Sequence, residues 1–364
     1  MDVGLNSEQL SLRDTVRDIL RTECPPDAAR QAITDPERWR TLWKTVVDLG
    51  WTELAAPDAT HDFGPVELAV VLEECGAAIA PIPLLSSIGL AAGVLRGSGP
   101  ASETGFEPVL ADIASGVVAT LAVHSRGCRL PGPTMTLQDG RLRGRAVAVP
   151  NLSRAELIVT LATAGNGDDR LVAAVARCGD GVIIHGGEST DPAQPVADVE
   201  IDADPLATAP VDIESALTGP LIAAAADLVG VASAALRRSV EHAKSRRQFG
   251  TPIGGFQGIK HALADNYVGL ERARSLTYAA AALLGDPTTA PADAWTAAAL
   301  AKAAAGDAAA NCARTAVQVH GALGQTWEHD IHLYVRHAWQ GAAMLGDSRA
   351  LYHEVGCRFA GGAG

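Results

Sequence analysis

Between residues 214 and 350 the chain is dense in alanine, and three glycine- or proline-bearing clusters punctuate it, at 250–255, 285–291 and 321–324. Alanine has the highest intrinsic helix propensity and the smallest side chain that still packs. Such a stretch predicts long helices lying at short axial distance, with 297–310 the clearest case. Aromatic residues make up only 4% of the 364 residues against 48% hydrophobic overall, so the core must be built from Ala, Val and Leu. At roughly 100–200 residues per domain, the length predicts two or three domains.

The first part of the chain also reads as helical. Leu5, Gln9, Leu12, Val16, Ile19 and Leu20 fall near one helical stripe, with Asn6 as the N-cap and Pro25-Pro26 as the stop. Trp43, Val46, Val47 and Leu49 form a second stripe ending at Gly50. Val66, Val70, Val71 and Glu74 form a third, which reaches Gly76 before the break at Pro81-Ile82-Pro83. The middle changes character. Residues 117–123 are β-prone, and residues 134–137 and 141–143 flank Asp139-Gly140, a hairpin signal. Residues 157–161, 171–175 and 181–185 add short strands. The expected organisation is α+β: an N-terminal helical domain (1–115), a middle β-barrel or sandwich domain (116–203), and a C-terminal helical bundle (204–364).

Charge narrows the function. Lys+Arg number 29 and Asp+Glu 42, for a net charge of −13, so a nucleic-acid partner is not expected. A membrane partner is not expected either, since no charge-free apolar run of spanning length is visible and the polar N-terminus carries no leader-like stretch. The six cysteines are scattered without a CxxC pair, as in reduced thiols of a cytoplasmic protein. His329 and His332 stand three apart but lack a third ligand, so no metal is expected. Glu73, Glu74, Glu241 and Glu271 read as solvated helix faces, and no nucleophilic triad stands out.

Two segments carry a family signature. Arg246-Arg247-Gln248-Phe249-Gly250-Thr251-Pro252-Ile253-Gly254-Gly255-Phe256-Gln257 resembles the R-x-x-F-G-x-x-I-x-x-F-Q pattern of acyl-CoA dehydrogenases. Gln318-Val319-His320-Gly321-Ala322-Leu323-Gly324 resembles that family's Q-x-x-G-G-x-G turn, with Ala322 in place of one glycine. Their order, their separation and the helix–strand–helix plan extend the resemblance over nearly the whole chain. The resemblance implies the acyl-CoA dehydrogenase fold with a C-terminal four-helix bundle. It also implies that Arg246, Phe249, Phe256, Gln257, Gln318, Gly321 and Gly324 hold the ADP half of FAD across a subunit interface. The chemistry agrees: guanidinium pairs bidentately with pyrophosphate, and a glycine turn lets backbone N–H groups approach an anion.

The resemblance also exposes what is missing. Family members remove the acyl α-proton with a glutamate; the two registers in which that base occurs fall here on Leu345 and Pro220, and neither can accept a proton. Asp347 is the nearest carboxylate. The segments that contact the flavin ring align with His124-Ser125-Arg126 and Ala148-Val149-Pro150-Asn151, and no Trp occurs between Trp51 and Trp295. An intact ADP half beside an eroded ring half is similar in pattern to the heteromeric actinobacterial enzymes acting on CoA thioesters of steroid side chains. In those α2β2 assemblies the partner supplies the base. The resemblance therefore implies a non-catalytic subunit of a FAD-dependent oxidoreductase, with a paralogous partner, an acyl-CoA substrate and an electron-transfer flavoprotein-like acceptor. Two alternatives are a self-sufficient homotetramer using a non-standard base such as Asp347, and a flavin-free scaffold on the same fold.

Overall fold

The structure is a computed structural model describing residues 4–25, 27–56, 63–165 and 170–361. Among the described residues seven α-helices come first: α1 (Ser7–Glu23), α2 (Ala28–Thr34), α3 (Trp39–Asp48), α4 (Pro65–Ala78), α5 (Ala92–Gly97), α6 (Ala101–Thr104) and α7 (Glu107–Ala114). Asn6 caps α1 through a reciprocal pair: its side chain accepts from the Gln9 N–H, and the Gln9 side chain accepts from the Asn6 N–H. Val16 and Leu20 of the expected stripe are buried. The helix ends at Glu23, before Pro25; Pro26, the second half of the expected stop, lies outside the described residues.

Eight strands follow: β1 (Ala119–Ala122), β2 (Met135–Gln138), β3 (Arg141–Pro150), β4 (Leu157–Ala164), β5 (Leu171–Arg177), β6 (Val182–His185), β7 (Val196–Ala203) and β8 (Ala207–Pro210). They form one mixed sheet in the order β6-β7-β3-β2-β4-β5-β8, with β1 added parallel to β4. The hairpin expected at Asp139-Gly140 is present: Gln138 pairs with Arg141, and both turn residues have positive φ (52° and 78°). β7 was not expected, although Ala197, Val199 and Ile201 alternate with outward carboxylates at clean period two. β8 lies beyond residue 203, the expected end of the middle segment, where it pairs with β5.

The remainder is helical: α8 (Ile213–Ser245), a two-stranded turn of β9 (Arg247–Gln248) and β10 (Thr251–Pro252), then α9 (Gln257–Gly285), α10 (Pro291–His320), α11 (Ile331–Ala343) and α12 (Ser348–Gly361). The breaks between α8, α9, α10 and α11 fall where the glycine and proline clusters place them. α8 to α11 form the four-helix bundle, and α12 packs on α10. By length and composition α8 could cross a membrane, but 89% of its most apolar window is buried inside the fold, so it is the central core helix.

Small residues let α4 and α8 touch backbone to backbone. A Cβ on Gly230 would sit 1.9 Å from the Glu73 carbonyl oxygen, and one on Gly76 would sit 2.0 Å from that of Asp227. This crossing overturns the solvated reading of Glu73 and Glu74. Squeezed between α1, α8 and α9, α4 has little solvent face left, and both glutamates are buried. Arg274 and the Tyr278 hydroxyl donate to Glu73, and Arg17 grips Glu74 as a fork at 2.7 and 3.0 Å. Buried carboxylates survive only when paired in this way.

Candidate functional site

Two regions bear on function, one at the C-terminal end of α8 and one beside its middle, at Asp227. At its C-terminal end, Arg246 is exposed and is the last residue to close on the helix, its N–H donating to the His242 carbonyl. The His242 ring stacks on His320, centroids 4.2 Å apart, and His320 immediately precedes the Gly321 turn. The two signature segments, far apart in sequence, are thereby brought side by side. Phe249 adopts φ 52° and is 93% exposed, meeting Phe256 edge-on at 6.2 Å. Gln257 and Gln318 are exposed, as is Gly321, whereas Gly324 is buried against His320 and Val317. Here stand a guanidinium with no ion-pair partner among the described residues, an uncovered aromatic pair and a glycine turn with φ 62°. Such a surface fits an anionic, planar-ended ligand, and none of the described residues covers it. The donor set matches the ADP half of a dinucleotide.

His329 lies near this end, its ring 4.9 Å from His320, while His332 stacks on Trp327. The two histidines thus face different neighbours rather than each other, because α11 begins only at Ile331.

The second region is a cavity of about 280 Å3 between the sheet and the bundle. Its walls come from Leu85, from the ring-contact registers His124, Ser125, Ala148 and Pro150, and from Ala343 and Met344 of the α11 end. A register shift between Ala146 and Val149, where β3 bulges against β7, carries Val147 and Ala148 into the wall. Leu345, at the expected base register, directly follows Met344 of this lining. Leu345 is 1% exposed and left-handed at φ 57°. Its N–H donates to His124 Nε2 at 3.0 Å. Lys302 Nζ donates to the carbonyls of Ala342 and Gly346 at 3.2 and 3.4 Å, closing the turn from beneath. Burial pushes the Lys302 ammonium down to about 7, against the pull of Asp347 and Asp227.

Asp347 is committed elsewhere. Arg129 holds its Oδ2 at 2.5 Å, and its Oδ1 accepts from the Ala350 N–H at the start of α12. Burial raises its pKa somewhat, but Arg129 and the helix-end amide outweigh that and leave it below the ordinary carboxylate range. A carboxylate so stabilised is a weak proton acceptor. Pro220, the other base register, is buried within α8 against Gly93.

The cavity has an ionic cluster that sequence reasoning did not find. His337 of α11 lies between Asp191, from the β6–β7 connection, and Asp227 of α8. Nδ1 is 2.6 Å from Asp191 Oδ2, and Nε2 is 2.8 Å from Asp227 Oδ2. All three are buried and all three line the cavity. Burial disfavours the imidazolium, yet the two carboxylates prevail and raise its pKa well above the usual value. The available signal was an isolated charge within an apolar helix: Asp227 in a run of Ala, Leu and Val, and Lys302 in a run of alanine.

Comparisons with known proteins agree with this fold. Residues 6–116 match the acyl-CoA dehydrogenase N-terminal domain, and residues 213–351 the acyl-CoA dehydrogenase C-terminal domain. Acyl-CoA dehydrogenase IpdE2 of Mycolicibacterium smegmatis is 31% identical over 359 residues, 95% of this chain and 96% of the relative. IpdE2 of Mycobacterium tuberculosis is 28% identical over 353 residues, 96% of each. Among solved structures, the ChsE4-ChsE5 complex from Mycobacterium tuberculosis superposes with a TM-score of 0.85 at 26% identity, covering 99% of both chains. A variant of the Tcur3481-Tcur3483 steroid ACAD gives 0.85 at 28%, covering 98% of both. The chain therefore belongs to the acyl-CoA dehydrogenase family.

Proposed function

We propose that this chain is the base-lacking subunit of a heteromeric, FAD-dependent acyl-CoA dehydrogenase of the cytoplasm. The observation that carries the reading is the state of the base register: a buried, left-handed Leu345 whose N–H is taken by His124, next to an Asp347 neutralised by Arg129. Arg246, Phe249, Phe256, Gln257, Gln318, Gly321 and Gly324 would hold the ADP half of FAD. The exposure of Arg246 and Phe249 leaves a surface that a second polypeptide completes. When bound, FAD supplies a hydride acceptor for α,β-desaturation of an acyl-CoA. In this reading the partner supplies the glutamate and the ring contacts, and this chain binds the pyrophosphate end. The two similar solved structures, the ChsE4-ChsE5 complex and the Tcur3481-Tcur3483 steroid ACAD, each pair two differently named chains, which supports a paralogous partner in an α2β2 assembly and a steroid or other bulky polycyclic acyl group. An electron-transfer flavoprotein-like acceptor completes the scheme.

Expression of the chain alone and together with a glutamate-bearing relative from the same genome tests the reading. The expected outcome is flavin and desaturase activity in the co-expressed assembly and neither in the lone chain. A yellow, active lone chain that loses activity on Asp347→Ala would replace it with a self-sufficient enzyme.

A further inference from the structure

The cavity beside Leu345 has a polar chemistry of its own. His124 Nε2 accepts the Leu345 N–H, which fixes the neutral ring's proton on Nδ1. Burial, followed by the charge of Lys302, lowers the His124 pKa and favours that neutral form. Nδ1 has no hydrogen-bond partner among the described residues and is not a sealed buried atom, and the ring lines the cavity. Its N–H is left for an occupant. The carboxamides of Gln194 and Gln340 are turned inward, each donating to a main-chain carbonyl, of Ile82 and Gln194 respectively.

The lining also carries charge. One histidine between two carboxylates leaves the Asp191–His337–Asp227 cluster at −1 with the imidazolium protonated and −2 without. Lys302 and Arg154, which interact with Asp227 and Asp191 respectively, supply compensating positive charge from outside the lining, so the charges that line the cavity are those of the cluster. In a site of low dielectric, a net negative wall repels a second anion strongly. Ser125 and Cys128 aside, the remaining lining, including Leu85, Val147, Pro150 and Met344, is apolar.

The geometry points to a pocket in this chain that selects an uncharged, ring-sized apolar group carrying an acceptor oxygen, such as a ketone, and rejects a carboxylate of the same shape. His124 is the specificity-determining donor, and the Asp191–His337–Asp227 cluster is the element that excludes anions. This deepens the proposed function by naming the chemical class that the pocket takes. It rests on that function only for calling the occupant part of a substrate, since binding is a property of this chain by itself.

The test uses the full-length chain at pH 7.5 with three size-matched probes: decalone, decalin and decahydronaphthoate. Calorimetric titration is expected to rank decalone at least about tenfold tighter than the carboxylate and tighter than the hydrocarbon. The infrared carbonyl stretch of decalone is expected to move to lower frequency on binding, as it does on accepting a hydrogen bond. His124→Phe keeps a ring but removes the donor; it should abolish the carbonyl shift and equalise decalone with decalin. Should that variant not fold, the wild-type ranking and the carbonyl shift still decide. Equal affinity for ketone and carboxylate, absence of decalone binding, or an unshifted carbonyl would each overturn the inference. Flavin content of the co-expressed assembly is unaffected by these outcomes, so the two readings fail separately.

Discussion

Replacing His337 by Gln removes the cation from between two buried carboxylates. In the wild type the ring nitrogens lie 2.6 and 2.8 Å from Asp191 and Asp227, and all three residues are nearly inaccessible. Gln is uncharged, so the variant leaves two like charges facing each other across a cavity wall. Breaking a buried pair by removing one partner costs about 3–5 kcal/mol, because the orphaned charge cannot be rehydrated. With an unfolding entropy of about 2.1 cal/mol/K per residue and 364 residues, that loss lowers Tm by roughly 4–7 °C. The pH dependence supplies a signature that loss of packing would not. His337 has a folded pKa above its unfolded value, so its stabilisation is complete below about pH 6.5 and is lost as pH rises through the raised folded pKa. The Tm gap between wild type and His337→Gln should thus be widest near pH 6 and narrow on the alkaline side. Tryptophan fluorescence or calorimetry across pH 6 to 10 measures it. The triple variant Asp191→Asn, His337→Gln, Asp227→Asn should recover much of the loss, since it removes all three charges together. A gap that is flat with pH, or a triple variant no better than the single, would refute the electrostatic account.

Other perturbations have expected outcomes. Gly230→Ala places a methyl 1.9 Å from the Glu73 carbonyl oxygen and must part α4 from α8, so it should cost about 3 kcal/mol or more in urea titration. Gly258→Ala, in α9 with nothing within 4 Å of the added carbon, should be neutral or stabilising by up to about 1 kcal/mol. Arg246→Ala in the co-expressed assembly should weaken FAD retention about 10- to 100-fold, the worth of a charge-assisted contact of about 1.5–3 kcal/mol. Dialysis against apo-assembly and flavin fluorescence would measure it. Leu345→Glu should destabilise the chain by burying a carboxylate whose neighbouring Leu345 N–H is already committed to His124, and it should leave the lone chain inactive. Desaturation by that lone variant would argue that only the base was missing.

What was legible in the chain was local. The capping box at Asn6, the Asp139-Gly140 turn and the glycine and proline breaks between the long helices each depend on residues within a few positions of one another. β8 was not, because Ala-Thr-Ala-Pro carries no period and becomes a strand only through β5. Nor was the burial of Glu73 and Glu74, which depends on arginines from α1 and α9 meeting the crowded side of α4. Asp191, Asp227 and His337 come from three separate elements and make chemical sense only together. Backbone hydrogen bonds and turn geometry are satisfied within a short segment, so the segment encodes them. A buried charge is tolerable only beside its counter-charge, and which groups meet is decided by how sheet and bundle dock.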